Sequence, residues 1–445
     1  MPALRTTLTL LLCACPVTAQ DPVEILSLLR DRIVDQAQRI PNHTCVETVE
    51  RDRYQRVAEQ VRQSCDSILA RRKQPNVVKL SHLESSDRIR LDVLVSRDRE
   101  VYSWPGAARF EEGDIDQLVH QGAMGTGGFA TLLQSVFETR SERFTFLGRT
   151  LLAGRTVYEY SFHILRQDSQ YRYKDMTQPW TPTGYAGSLF VDPHTAALVR
   201  FTVRTDELPP SSDSCEVDTT LDYEDVQLSG SGYMVPLATR QRFIGRDGTE
   251  SENSYEFSAC RDYQGESQLK FGAAQPAGDA DVRPHPKPAR VLSAGLALSI
   301  DLTTSLDSDT AAAGDRIEGR VAKPILNLDH ATSVPAGARV LGRLMRVEVE
   351  HLPTRRVTFV LEWETLEVDG ASEPLVLVPN RKVKQPGIQF GGLASVPALM
   401  AALRKRGTVI ELPRPDEERF AIFHFPGERH IMEPGTRTEW LTTTQ

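Results

Sequence analysis

Four glycines within seven residues are the first feature of this 445-residue sequence that could do chemistry. They are Gly122, Gly125, Gly127 and Gly128, and they lead directly into an apolar segment that begins at Phe129. Glycine-rich loops that open a helix can bind phosphate through backbone N–H groups. Here no Lys-Ser/Thr pair follows the last glycine, the GxGxxG spacing is missing, and the preceding "DIDQLVHQ" is polar. We therefore predict a hinge followed by a short lid-like helix, and no phosphate site.

Other catalytic patterns are missing from the sequence. It contains neither the HExxH motif nor the GxSxG motif. His424 and His430 lie on either side of a Pro-Gly turn, and no further residue near them has the spacing of a metal ligand. Glu364 and Glu367 lie an odd number of residues apart on a predicted strand, so they point to opposite faces. We predict no catalytic residue, no metal site and no cofactor, and we expect the protein not to be an enzyme.

The first residues, "MPALRTTLTLLLCACPVTAQ", are typical of an export signal. One basic residue precedes a short apolar run that ends on small side chains, which predicts a signal peptide over 1–19 with cleavage between Ala19 and Gln20. A less favoured alternative is lipidation at Cys15, because "LCAC" loosely fits a lipobox. We expect an exported protein, either periplasmic or associated with the outer membrane.

Four cysteines remain after the predicted leader: Cys45, Cys65, Cys215 and Cys260. An even number in an exported chain favours disulfides, of which three connectivities are possible. Proximity in sequence favours Cys45–Cys65 and Cys215–Cys260. The formal net charge of −8 gives no electrostatic reason to bind nucleic acid.

Two kinds of periodicity predict the secondary structure. "DPVEILSLLRDRIVDQAQRIP" predicts a helix capped by Asp21, with Pro22 in its first turn and Pro41 after its end. Its apolar residues fall roughly on one stripe: Ile25, Leu28, Leu29, Ile33, Val34 and Ile40. Later segments alternate apolar and polar residues, as half-buried antiparallel strands do: "RIRLDVLV", "TVYEYSFHI", "LVRFTVR" and "CEVDTTLDYEDV".

These elements predict a mainly β (α+β) fold. We expect a large curved antiparallel sheet or open barrel over 20–272, with the N-terminal helix and the lid-like helix. A Pro-rich stretch over 273–290 predicts a linker, followed by a small β-barrel or sandwich domain over 291–445. The mature chain contains no segment apolar enough to predict a transmembrane helix. The last strands, "FAIFHFPG" and "EPGTRTEWLT", predict a closing hairpin.

Residues 21–271 resemble two groups of exported proteins. The N-terminal helix, the run of strands and the hairpin "GSLFVDPHTAALVRFTV" resemble the periplasmic lipoprotein-carrier (LolA-like) superfamily. The region is more closely similar to an uncharacterised family of exported bacterial proteins, in which "PNHTCVETVER", "REVYSWPG", "GTGGFATLL" and "FSACRDY" occur in this order.

The carrier resemblance implies an open barrel wrapped around helices, with an apolar concave face that accepts acyl chains. Candidates for that face are Tyr158, Tyr160, Phe162, Phe201 and Val203. The alternative is that these side chains form an ordinary packed core.

Three functions follow as hypotheses. The favoured one is a non-enzymatic envelope protein whose first domain binds a lipid or another apolar ligand and whose second domain docks an envelope protein. The alternative is a structural or assembly scaffold that acts only through protein contacts. A hydrolase with a site assembled from distant residues, for which His120, His163 and His194 are the candidates, is the least favoured.

Overall fold

The computed structural model describes residues 20–56, 64–72, 81–96, 99–107, 110, 133, 136–137, 144–169, 171–173, 181–206, 208, 212, 214–263, 292–326, 332–383 and 419–443. The predicted signal peptide over 1–19, with Cys15, and the predicted linker over 273–290 lie outside these residues. The predicted domain boundaries therefore stay predictions.

The fold is mainly β, with 61% strand and 11% helix, and its large antiparallel sheet is not closed. The helices are α1 (Pro22–Arg39) and α2 (Cys65–Arg72), with a 3-10 turn at Arg166–Asp168. The strands up to residue 262 are β1 His43–Arg56, β2 Ser81–Ser96, β3 Arg99–Ser103, β4 Thr145–Leu152, β5 Arg155–Ile164, β6 Arg172–Tyr173, β7 Thr181–Pro182, β8 Tyr185–Val191, β9 Leu198–Thr205, β10 Ser214–Leu228, β11 Ser231–Gly245 and β12 Glu250–Asp262. The later strands are β13 Ala297–Leu302, β14 Leu306–Asp307, β15 Arg316–Val321, β16 Ile325–Leu326, β17 Thr332–Val334, β18 Arg339–Glu350, β19 Arg356–Val368, β20 Ala371–Pro374, β21 Leu377–Pro379, β22 Ala421–Pro426, β23 Ile431–Met432 and β24 Arg437–Thr442.

Helix α1 begins where its sequence predicts. The Asp21 carboxylate accepts a hydrogen bond from the Val23 N–H at 2.9 Å, and Pro22 occupies the first turn. This arrangement satisfies one of the N–H groups that a helix start leaves without an intrahelical partner. Only three residues of the predicted apolar stripe are buried: Ile25, Leu29 and Ile33. Leu28 and Val34 of that stripe are exposed, at 49% and 41%.

The N-terminal part of the sheet follows the order β4–β5–β8–β9–β10–β11–β12–β1–β2–β3, with antiparallel neighbours throughout. Successive side chains of a strand point to opposite faces, so one face can be apolar while the other is wet. The alternation predicted for "RIRLDVLV" is confirmed, since its four apolar residues are all buried: Ile89, Leu91, Val93 and Val95.

The C-terminal part has its own apolar core and a different strand order. Its strands run β21–β24–β13–β15–β18–β19–β22, with β20 also paired to β19. Trp363, Trp440, Phe359 and Phe423 fill its centre. The predicted closing hairpin is wrong, because β22 pairs with β19 whereas β24 lies between β13 and β21.

The two parts of the sheet meet at β2 and β18, which pair antiparallel. The Arg90 N–H donates to the Ala313 carbonyl at 2.7 Å beside this junction. The buried Arg343 lies over the Trp104 ring at 5.9 Å and pairs with Glu364 at 3.0 Å. Among the described residues, the ladder therefore runs through both parts as one sheet of 18 strands.

The four cysteines form two disulfides, Cys45–Cys260 and Cys65–Cys215. The expectation of disulfides is confirmed, but the predicted pairing of sequence neighbours is wrong. β1 pairs with β12, and this ladder brings the Cα atoms of Cys45 and Cys260 to 4.1 Å. The start of α2 lies at the start of β10, where the Cα atoms of Cys65 and Cys215 are 5.2 Å apart.

Candidate ligand-binding face

β5 and β9 carry the five residues that the sequence predicts for ligand binding, and both strands pair with β8, which lies between them. Each of the five is at most 4% exposed. Because residues paired across antiparallel strands share a face, the five belong to one surface, which we call the aromatic face. They are Tyr158, Tyr160, Phe162, Phe201 and Val203.

Gly187 of β8 lets the rings of this face approach one another. It lies opposite Phe162 on one side and Val203 on the other. A Cβ at this position would lie 2.7 Å from the Phe162 ring and would clash with the Thr202 carbonyl. With glycine there, the Phe162 and Phe201 rings stack with centroids 5.5 Å apart.

Helix α1 covers the aromatic face. Its three buried side chains, Ile25, Leu29 and Ile33, pack in one cluster with the rings. The structure thus brings the five predicted residues together and buries them beneath a helix. Whether a ligand enters there stays a prediction.

Hydrogen bonds fasten α1 at both ends. At its start, the Tyr158 hydroxyl donates to the Gln20 carbonyl at 3.0 Å and the Tyr160 hydroxyl donates to the Pro22 carbonyl at 2.7 Å. Near its end, the Gln36 amide donates to the Met234 carbonyl and accepts from the Met234 N–H at 2.8 Å. Between these ends, its buried contacts with the sheet are apolar, and Arg32 forms an exposed ion pair with Asp225 of β10 at 2.6 Å.

The predicted hinge and lid lie partly beyond what is described. Gly122, Gly125, Gly127, Gly128 and Phe129 are outside the described residues. Farther along the predicted lid-like helix, three helical residues belong to the same apolar cluster as the aromatic face: Leu133, Val136 and Phe137.

A polar cluster that the sequence analysis did not predict lies on the same side of the sheet. It contains Glu47 of β1 together with Glu100 and Tyr102 of β3. Glu47 pairs with Leu91 and Glu100 with Val95, two β2 residues on one face. The Tyr102 hydroxyl, in turn, donates to the Glu100 carboxylate at 2.6 Å.

Burial keeps Glu47 and Tyr102 of this cluster protonated at neutral pH. Glu47 is only 2% exposed, and burial together with the charge of Glu100 raises the pKa of Glu47 to about 8. Burial also raises the pKa of Tyr102 far above its usual value, with Glu100 and Glu47 adding to the shift. On the same strand as Glu47, burial lowers the pKa of His43. At neutral pH, Glu47 is therefore a hydrogen-bond donor as well as an acceptor.

Tyr223 of β10 belongs to the aromatic face and carries a buried hydroxyl. Its ring packs in the cluster of the aromatic face, and burial and the charge of Glu100 raise the pKa of its hydroxyl. That hydroxyl and the Thr239 Oγ1 are buried without a hydrogen-bond partner among the described residues. By contrast, the buried Tyr255 hydroxyl bonds to Gln241 at 3.3 Å.

One sequence signal could have revealed this cluster. In "CVETVE", Glu47 occupies the position that the apolar alternation of Cys45 and Val49 assigns to the buried face. A charged residue in the buried register of a strand is unusual, since an unpaired charge is costly to bury. Glu100 carries no such signal because β3 is too short to show a period.

Two of the three histidines named for a hydrolase, His163 and His194, lie apart. His163 of β5 is exposed and bonds to Asp206 at 2.6 Å. It lies opposite Ala186, five β8 residues before Val191, and His194 follows beyond that strand. At about 3.3 Å per residue, the two histidines are separated by roughly 15 Å or more along the sheet. His120 is outside the described residues.

The two histidines of the C-terminal part, His424 and His430, contact different residues. His424 Nδ1 bonds to the Thr358 hydroxyl at 2.9 Å, whereas His430 stacks on Phe425 with centroids 3.6 Å apart. In the part of the chain that the structure describes, no group of three or more His, Cys, Asp or Glu side chains could hold a metal ion. No helix in that same part is long and apolar enough to cross a membrane.

The comparisons with known proteins give distant likenesses. Neither a protein-family profile nor a curated protein matches the sequence. Among solved structures, the chain is similar to a DUF1329 family protein from Desulfovibrio piger, at 12% identity and a TM-score of 0.25, over 56% of this chain and 96% of that chain. A putative outer membrane lipoprotein-sorting protein domain from Vibrio parahaemolyticus is similar at 10% identity and a TM-score of 0.24, over 56% of this chain and 95% of that chain. MucB in complex with MucA(peri) is similar at 13% identity and a TM-score of 0.16, over 79% of this chain and 90% of that chain.

The Vibrio neighbour belongs to the lipoprotein-sorting class that the sequence resembles. TM-scores this low carry no argument about what the chain binds. A function must therefore be argued from the residues of the chain itself.

Proposed function

We propose that this chain is a non-enzymatic protein of the cell envelope that binds an apolar, acyl-chain ligand on the aromatic face. The observation that carries the proposal is the way this face is covered. Its rings are closed off by a helix that contributes three buried side chains and is fastened to the sheet at its ends. A helix held in this way can leave the sheet as a unit.

The energetics of such an exchange are balanced. Burying a side chain the size of Ile25, Leu29 or Ile33 contributes about 2 kcal/mol, so the three together contribute about 6 kcal/mol. Each methylene of an acyl chain contributes about 0.8 kcal/mol on burial. A chain of about eight methylenes therefore offsets the loss of these apolar helix contacts.

Two further features support an envelope location. Disulfides persist in oxidising compartments such as the periplasm, and this chain forms two of them. A signal peptide over 1–19, as the sequence predicts, would direct the chain to the same place. A periplasmic protein with a covered apolar face is suited to carrying or sensing a lipid.

Native mass spectrometry of residues 20–445, exported so that both disulfides form, tests this function. We expect a co-purifying mass that organic extraction releases as an acyl-chain compound. Val203→Phe, which fills the aromatic face, should reduce uptake at least fivefold. Val217→Phe, in a separate small cluster on β10, should not reduce uptake. An empty wild-type protein that also takes up no decyl-chain ligand on titration would contradict the proposal.

An assembly function through protein contacts is the second candidate, and the edge of the sheet favours it. Among the described strands, β4 pairs only with β5, and its Leu151 is 73% exposed. An unpaired edge with apolar side chains accepts an extended strand from a partner. If the wild-type protein carries no ligand and takes up none on titration, this assembly function becomes the favoured one.

A further inference from the structure

A row of polar side chains continues the aromatic face across the sheet. Thr219 of β10 lies directly opposite Val203, and one residue of β11 and one of β12 follow it in the same row. Residues paired directly across antiparallel strands share a face, and so do alternate residues of one strand. The next row of that face adds one more polar residue from each of β11 and β12. We call these five residues the amide strip: Thr219, Thr239, Gln241, Asn253 and Tyr255.

The amide strip is buried and carries no charge. Asn253 is 1% exposed, Thr219 is 6% exposed and Gln241 is 7% exposed. Arg51 of β1 is the next residue in the row, and the Asp87 carboxylate accepts two hydrogen bonds from it, at 2.6 and 2.7 Å. The charge of Arg51 is therefore offset within the sheet. A charged head group would lose its water in the strip, and the strip itself offers no counter-charge.

The hydrogen bonds within the strip are long. The Gln241 amide donates to the Thr219 hydroxyl at 3.4 Å, and the Tyr255 hydroxyl donates to Gln241 at 3.3 Å. Well-formed hydrogen bonds of these kinds measure about 2.7–3.0 Å. The buried Thr239 hydroxyl has no hydrogen-bond partner among the described residues. The strip can therefore form further or better hydrogen bonds with a polar group that reaches it.

We propose that the amide strip binds an uncharged head group that carries several hydroxyls, such as a sugar. This inference rests on the proposed function, because it assigns the head group of the ligand whose acyl chain occupies the aromatic face. Side-chain amides and hydroxyls both donate and accept hydrogen bonds, as the hydroxyls of a sugar do. A carboxylate only accepts them and an ammonium group only donates them.

The spacing of the strands suits such a ligand. Gln241 lies two strands from Val203 in one row, which is about 10 Å at the usual distance between strands. A ligand that lies across the strands can therefore contact the aromatic face with its chain and the amide strip with its head group.

Titration of residues 20–445 with decyl glucoside, decanoate and decylamine at pH 7 tests the site. The three ligands share one chain and differ in the head group, and each is used below its micelle concentration. We expect decyl glucoside to bind at least tenfold more tightly than either charged ligand. Isothermal titration calorimetry measures the three dissociation constants.

Two variants and a control separate the site from the fold. Thr239→Val removes a hydroxyl but keeps the shape of the side chain, so it should weaken decyl glucoside several-fold and leave decanoate binding and the denaturation midpoint unchanged. Gln241→Met, which keeps the length of the side chain, should reduce the preference for the glucoside to below threefold. Thr220→Val, on the other face of β10, is the matched control and should change nothing. Circular dichroism verifies that each variant is folded.

The outcomes distinguish the two proposals. Equal affinity for the three ligands, or Thr239→Val and Gln241→Met variants that bind like the wild type, would overturn the head-group site and leave the acyl-chain function standing. Failure of all three ligands to bind would contradict the proposed function, and the head-group site with it.

Discussion

Glu47 is the residue whose chemistry departs furthest from its ordinary state. A carboxyl removed from water keeps its proton, because the neutral form needs far less solvation than the anion. Glu100 acts in the same direction, since a second negative charge nearby would be repelled. Glu47 therefore stays neutral in the folded chain at neutral pH.

The pH dependence of stability tests this protonation state. The pKa of Glu47 is raised from 4.5 to about 8 on folding, so between these values the folded chain holds a proton that the unfolded chain releases. Raising the pH through this window therefore destabilises the fold, by up to about 1.4 kcal/mol per pH unit. Between pH 5.5 and 7.5 we expect the unfolding free energy of the wild type to fall by about 2 kcal/mol more than that of Glu47→Gln. Urea denaturation at both pH values measures the difference.

Glu256→Gln is the control for that experiment, because Glu256 is an exposed acid on the other face of β12. It should follow the wild-type pH dependence. Parallel curves for the wild type and Glu47→Gln would show that Glu47 is ionised in the folded chain.

At the scale of the element, α1 shows that the sheet it packs against determines which side of the helix is buried. Leu28 and Leu29 are neighbours of the same type, and a helix turns them about 100° apart. Leu29 is 0% exposed and Leu28 is 49% exposed. The apolar stripe in the sequence includes both, because helical spacing alone does not say which edge of a stripe meets the sheet.

Substitution of this pair tests the covering of the aromatic face. Leu29→Ala should lower the free energy of unfolding by about 2–4 kcal/mol, because it leaves a cavity against the rings. Leu28→Ala should change it by less than about 0.5 kcal/mol, since its side chain is half in water. Chemical denaturation of the two variants gives both numbers. Similar losses for both would mean that α1 does not lie on the sheet in this orientation.

At the scale of the whole molecule, distant parts of the chain are tied together by covalent and backbone bonds. The disulfides span 215 and 150 residues of sequence. Cross-links over loops this long stabilise a fold by up to about 5 kcal/mol in the chain-entropy description. The β2–β18 ladder and the Arg343 contacts add the connection between the two parts of the sheet.

Disulfide mapping is the whole-molecule prediction. Non-reducing proteolysis of the exported chain should yield one peptide pair that joins Cys45 to Cys260 and another that joins Cys65 to Cys215. A reduced sample, in which both pairs separate, is the control. Peptides that join Cys45 to Cys65 would contradict the strand order described above, since β12 then need not pair with β1.

Local patterns determined much of the fold from the sequence alone. A period of two in "RIRLDVLV" and "TVYEYSFHI" assigns their apolar residues to one face, because alternation is a property of each strand by itself. The cap at Asp21 and the proline after it place the start of α1 for the same reason. The five residues of the aromatic face follow from this alternation together with the family resemblance.

Only the tertiary structure decided which distant residues meet. Cys45 pairs with Cys260, β22 pairs with β19, and Glu47 shares a face of the sheet with Glu100, because strand order sets which residues become neighbours. Strand order is not encoded in a local repeat, and strands that alternate equally well can pair in several orders. The sequence therefore predicted the aromatic face, whereas the polar cluster on β1 and β3 is seen only in the tertiary structure.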